Sequence, residues 1–104
     1  MTGPLLAGGR AWSALVVHPD DDVAVALRDL AAGETIDVRC RSGVQRVGVA
    51  EAIPLGHKLA LHAIPVGAPI RKYGEPIGTA TGAIEAGRHV HVHNLASLRG
   101  RRTP

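Results

Sequence analysis

Phenylalanine is absent from this 104-residue chain, and Trp12 and Tyr73 are its only Trp and Tyr. A core must therefore be built from Val, Ile, Leu and Ala, and the ring platforms on which nucleic-acid modules stack bases are missing. Cys40 is the single cysteine, so no intrachain disulfide can form, which fits a reducing cytoplasm. No apolar run approaches the ~20 residues of a membrane span. The segment from Met1 to Gly9 has no basic stretch ahead of Leu5-Leu6-Ala7 and does not read as a signal peptide. Neither a membrane nor a nucleic acid is expected as a partner. The net charge is +3, but Arg10, Arg99, Arg101 and Arg102 lie near the ends, and without them eight Lys/Arg face nine Asp/Glu. The basic balance is a property of the tails. The expected organisation is a flexible leader over 1–13, one domain over 14–98 and a basic tail over 99–104. A domain of this size has little room for a deep cleft of its own, because pockets form preferentially between domains or subunits. A partner is implied before any motif is read.

Glycine, by contrast, is plentiful and regularly placed. Three segments, 27–36, 61–70 and 81–90, share one pattern: an apolar anchor (Leu30, Ile64, Ile84) three residues before a glycine (Gly33, Gly67, Gly87), and a second apolar residue (Ile36, Ile70, Val90) three after it. The spacing predicts a corner, in which a strand ends, one side chain plugs the core, and glycine at positive φ starts the next strand. Between corners, 14–17, 23–27, 35–40, 44–49, 58–61 and 89–95 carry strand patterns. Glycine and proline spread along the body leave little room for a long helix. The expected fold class is a small all-β domain with short turns.

Histidine is the unusual residue type, with six copies, three of them in His89-Val90-His91-Val92-His93-Asn94. On a strand the three imidazoles would share one face, roughly 6.5–7 Å apart, with Val90 and Val92 turned to the core. Such a set can hold a divalent metal or a polyoxygenated substrate. A second constellation is Ile53-Pro54-Leu55-Gly56-His57-Lys58, where a turn presents a histidine and a lysine suited to a carboxylate. A third is Arg71-Lys72-Tyr73-Gly74-Glu75-Pro76, with Lys72 and Tyr73 expected just before a Gly-Glu-Pro turn. The fourth, His18-Pro19-Asp20-Asp21-Asp22, reads as a solvated turn or as a hard-metal or proton-relay corner.

In order, these pieces are similar to the N-terminal domain of the altronate/galactarate dehydratase family. The carriers are His-Pro-x-Asp-x-Val-Ala-Val-Ala-Leu at 18–27, Ile-Pro-x-Gly-His-Lys-x-Ala-Leu at 53–61, Lys-Tyr-Gly-x-Pro-Ile-Gly-x-Ala at 72–80, and Gly-x-His-Val-His-x-His-Asn-Leu at 87–95. The small subunit of the two-component sulfolactate sulfo-lyase resembles the same domain. One departure stands out: Asp22 occupies a position where the family usually has asparagine.

The resemblance implies a SAF-type β-clip fold and a small subunit that works with a separate large dehydratase or lyase subunit. The implied reaction is β-elimination of water, or of sulfite, from a sugar acid or other hydroxy acid, with a divalent metal, Fe2+, as cofactor. Within it, His57 and Lys58 are expected to be catalytic, in carboxylate recognition or proton transfer. Lys72, Tyr73, His89 and Asn94 are expected at the substrate, and His91 and His93 at the metal. From a different class, a non-catalytic SAF-type module that binds a carbohydrate or a partner would use the same surface.

Overall fold

The glycine-anchored pattern organises the chain in the computed structural model, which describes residues 12–41 and 43–97. Each anchor (Leu30, Ile64, Ile84) is buried, each glycine has positive φ (91° at Gly33, 81° at Gly67, 82° at Gly87), and the apolar residues that follow are buried too. The structure adds a fourth copy that sequence reading passed over: Ile53 is buried, Gly56 has φ 84°, and Leu59 is fully buried.

The four corners lock in pairs. Leu30 and Ile53 exchange both backbone hydrogen bonds (2.8 and 2.9 Å), as do Ile64 and Ile84 (2.7 and 2.9 Å). In every corner the glycine N–H donates to a carbonyl beside the partner corner: Gly33 to Val49, Gly56 to Ala26, Gly67 to Ala80 and Gly87 to Ala60. The next residue's N–H closes the turn on the carbonyl after the anchor, as His57 does on Pro54 and Arg88 on Glu85. Each pair is thus a clip whose backbone polar groups satisfy one another, which lets the corners be buried without a helix.

Among the described residues there are nine strands: β1 (Ala14–Leu15), β2 (Val23–Ala26), β3 (Thr35–Cys40), β4 (Gly43–Gly48), β5 (Lys58–Ala60), β6 (Pro69–Lys72), β7 (Glu75–Ala80), β8 (His89–Val90) and β9 (Leu95–Ser97). One sheet has the order β4-β3-β1-β2-β5-β8, the other β6-β7-β9. Among the described strands only β1 with β3 pairs parallel. The apolar residues separate into two cores. The first contains Leu30, Ile36, Ile53 and Leu59, from the first clip; the second contains Ile64, Ile70, Ile84 and Val90, from the second clip. The pair β2–β5 is the wall between them, sending Ala24 and Leu59 one way and Val23 and Ala60 the other.

Two sequence expectations are corrected. The stretch 89–94 is not one strand: β8 stops at Val90, and 91–94 form a turn that carries the chain to the other sheet. Asn94 is the reason. Its Oδ1 accepts from the His91 N–H (2.9 Å), its Nδ2 donates to the His89 carbonyl (2.8 Å), and its own N–H donates to the His91 carbonyl (3.0 Å). Such side-chain to backbone bonds compete with a strand ladder. Val92, expected to point inward, is 79% exposed. The Gly-Glu-Pro turn is also displaced: the turn is Tyr73-Gly74, both at positive φ (59° and 75°), joining β6 to β7, while Glu75 and Pro76 already pair in β7.

Residues 1–11 of the expected leader, and the expected tail 99–104, lie outside the described residues. Ser13 already belongs to the domain, since its carbonyl accepts from Leu27 N–H at 2.9 Å. Among the described residues, no helix is long and apolar enough to cross a membrane.

Candidate functional site

β5 leaves the second corner with His57 and Lys58 at its start, and β8 leaves the fourth corner with His89. The two strands pair antiparallel, Lys58 opposite Val90 and Leu59 opposite His89. One clip therefore supplies His57 and Lys58, the other His89 and His91, and the imidazoles meet at the seam. His57 Nδ1 and His89 Nε2 share a hydrogen bond of 2.8 Å. His57 stacks on His91 with ring centroids 4.6 Å apart, and His89 on His91 at 5.3 Å. One ring nitrogen from each of His57, His89 and His91 lies within 4.8 Å of the others. His93, exposed at the rim, has its ring 5.4 Å from that of His89 and stands outside this trio.

The electrostatics follow from the crowding. Partial burial, then the positive character of the neighbouring rings, lowers the pKa of His89; Glu51, whose Oε2 accepts from His89 N–H (3.1 Å), pulls the other way. The His91 pKa is lowered by burial, then by His57, Lys58 and His93. Both shifts favour neutral imidazoles, the form that binds metals. Lys58 is half-buried, and burial, followed by the charge of Lys72, lowers its pKa; Tyr73 opposes this. Lys72 Nζ donates to the Tyr73 hydroxyl (2.8 Å) and lies 4.1 Å from the centre of its ring. A groove of about 460 Å3 runs beside this group, with Lys58 and His91 in its wall and Val92, Glu75 and Ser97 farther along.

The structure thus gathers His57, Lys58, His89 and His91 at the strand seam, with His93 at the rim and Lys72 and Tyr73 close enough to act on Lys58. Asn94 is present as well, but its amide is committed at both ends to the backbone of the 91–94 turn. The His18–Asp22 segment is a turn that is solvated at Pro19 and Asp20 but not at Asp21. Asp21 is 6% exposed and accepts from Gly74 N–H (2.8 Å) and His18 N–H (3.0 Å). Asp22 accepts from Arg71 N–H (2.8 Å) and pairs with His62 Nε2 (2.9 Å), so the residue just ahead of β2 is tied to β6. Glu51 was not singled out from sequence, because nothing local marks a glutamate that reaches a strand 38 residues away.

A second groove, about 520 Å3, is lined by Asp22, His62, Cys40 and Gln45 among others. It is the larger of the two, yet it gathers no comparable set of ligand atoms. Burial raises the pKa of the Cys40 thiol, the wrong direction for a nucleophile. The candidate site is therefore the imidazole cluster.

The family model described as the altronate/galactarate dehydratase SAF domain matches residues 12–98. The chain is 49% identical over 78 residues to an altronate dehydratase of Escherichia coli, covering 75% of this chain and 15% of that protein. To an altronate dehydratase of Bacillus subtilis it is 43% identical over 82 residues, 79% of this chain and 16% of that one. The chain thus spans only about one-sixth of these enzymes. A (2R)-sulfolactate sulfo-lyase subunit alpha of Chromohalobacter salexigens is 35% identical over 88 residues, which is 81% of this chain and 94% of that subunit.

Proposed function

Because this chain belongs to the altronate/galactarate dehydratase SAF domain family, we propose that it is the small component of a two-component lyase. In this reading it works with a separate large subunit to eliminate water from a hydroxylated carboxylic acid in the cytoplasm. The observation that carries the proposal is the seam itself: three clustered imidazoles beside Lys58, Lys72 and Tyr73. The two-component arrangement is supported by the near-complete coverage, 94%, of a relative that is itself named a subunit.

A divalent metal fits the trio His57, His89 and His91. Their nitrogens are mutually close, and burial holds two of the rings toward the neutral form. Imidazole suits Fe2+ among other divalent ions. We therefore assign the metal to these three rather than to His91 with His93, and His57 becomes a ligand instead of an acid–base group. Bound there, the ion would supply Lewis-acid polarisation of a substrate oxygen. The chain's own residues do the rest. Lys58 and Lys72 attract the carboxylate, and the Tyr73 hydroxyl, already accepting from Lys72, can donate its proton to it. Asn94 fixes the turn that brings His91 back over His57. The base that takes the α-proton is assigned to the large subunit.

The test is to purify the chain alone and with its large subunit, and to assay dehydration of aldonic and aldaric acids with and without Fe2+. Activity should require both proteins. His91→Ala should lower turnover by more than the ~10–100-fold typical of losing an outer-shell partner, with complex formation unchanged. Turnover by the isolated chain would overturn the two-component reading. The coverage of the sulfo-lyase subunit also favours a second reading, in which sulfite leaves instead of water; release of sulfite from a sulfonated hydroxy acid by the same complex distinguishes the two.

A further inference from the structure

The residue that delivers Tyr73 to the site is unusual in its backbone. Tyr73 is the only described non-glycine residue with positive φ, at 59°, and it is 59% exposed, so its ring buries little that would hold it there. A bulky L-residue at positive φ persists only where its surroundings impose the conformation. The two-residue turn between the paired Lys72 and Glu75 calls for it, and the turn at 18–22, earlier in the chain, braces it from outside. Asp21, the only charged side chain counted as buried among the described residues, accepts from Gly74 N–H through Oδ1 at 2.8 Å and from His18 N–H through Oδ2 at 3.0 Å. The His18 ring lies flush against Gly74: a Cβ there would stand 2.9 Å from its Cε1 and Nε2 atoms. The His18 Nδ1 accepts from Asp20 N–H (3.1 Å), which fixes the ring's orientation. Next to it, Asp22 N–H donates to the Arg71 carbonyl and the Asp22 carboxylate accepts from Arg71 N–H. The 18–22 turn grips the hairpin tip from both sides of Lys72 and Tyr73.

We infer that Asp21 is a positioning residue for the carboxylate end of the site, its buried side chain clasping the 72–74 tip so that Lys72 and Tyr73 stay beside Lys58. This rests on the proposed role of those three residues in binding a carboxylate. It also gives the His-Pro-x-Asp segment a function without any ligand of its own. Asp21 touches no substrate; it acts through Gly74.

Two readouts test the clasp. In wild type, Tyr73 should show the strong intraresidue amide–α-proton NOE of a positive φ, and the Gly74 amide should be protected from exchange. Asp21→Ala should abolish both and weaken binding of tartrate, used as a hydroxylated dicarboxylate probe, by about tenfold or more, the worth of one charge-assisted hydrogen bond. Co2+ binding at the imidazoles should be unchanged, which a general loss of structure would not allow. Asp21→Asn keeps an acceptor for Gly74 and should restore most of the tartrate affinity. If Asp21→Ala fails to fold, Gly74→Ala dislodges the tip from His18 with Asp21 intact and should lose tartrate in the same way. Retention of the Tyr73 NOE and of tartrate affinity within twofold, in whichever of these variants folds, would overturn the inference. Should wild type itself bind no tartrate, the carboxylate reading fails, and the NOE and exchange data still decide the clasp.

Discussion

At the scale of single residues, the side chains of the candidate site stood out in the sequence while their hydrogen-bond partners did not. His57, Lys58, His89 and His91 stood out by type and clustering, and the structure brings them together. The face rule that grouped His89, His91 and His93 failed because it assumed a strand, and Asn94 folds the segment into a turn instead. The turn puts His91 over His57, a contact between residues that no local periodicity connects. Glu34 shows the same limit and yields a pH prediction. Its carboxylate receives Arg28 in a two-pronged contact (2.7 and 3.2 Å) and accepts from Ala31 N–H at 2.6 Å. The Arg28 hydrogen bond first, then that from Ala31, lowers its pKa from 4.5 to about 2. A carboxyl whose folded pKa is depressed stabilises the fold above its unfolded pKa and loses that contribution as pH falls through the folded value. Wild type should therefore exceed Glu34→Gln in urea midpoint above about pH 4.5, and the gap should shrink steadily as pH falls toward about 2. Equal midpoints at pH 6, or a gap that widens in acid, would contradict the assignment.

At the scale of elements, the corners were the most readable feature, because anchor, glycine and following apolar residue sit at fixed offsets that any copy must keep. Three copies were evident. The fourth shares its residues with the His57-Lys58 constellation, which masks the same anchor–glycine spacing. Strands β6 and β7 were harder: Pro76 argues against a strand, and the register shift between Ile70 and Arg71 that accompanies it is not visible in sequence. Equivalent glycines need not be equally replaceable. Gly33 and Gly87 have similar φ, but a Cβ on Gly33 meets nothing within 4 Å, whereas one on Gly87 runs into the Gly48 carbonyl. Gly33→Ala should cost only the roughly 1–2 kcal/mol of a left-handed residue. Gly87→Ala must also displace backbone that holds Ala50 N–H on the Gly87 carbonyl, so it should cost clearly more. Urea denaturation of the two variants side by side checks the ranking, and similar losses would show that the Gly48–Gly87 approach is not tight.

At the scale of the molecule, two clips with separate cores meet along β2 and β5, and the candidate site straddles the meeting. The geometry of the imidazoles should then depend on how the halves are seated, and not on the total stability of the fold. Ala60 and Ile36 separate the two dependencies. Ala60 is fully buried on the second-core side of β5, and its backbone bonds to Gly87 and Arg88 hold β5 beside the start of β8. Ala60→Leu overpacks that seam, at a typical cost of about 1–3 kcal/mol, and must push β5 and β8 apart, separating His57 from His89. Ile36 is buried in the first core alone, and Ile36→Val should cost a comparable ~0.5–1.5 kcal/mol without moving the seam. Co2+ titration of the two folded variants should therefore show weakened binding in Ala60→Leu and wild-type binding in Ile36→Val, although neither changes a ligand. If affinity instead falls in both in proportion to the lost stability, the metal site follows the stability of the whole fold and not the way the two clips are seated against each other.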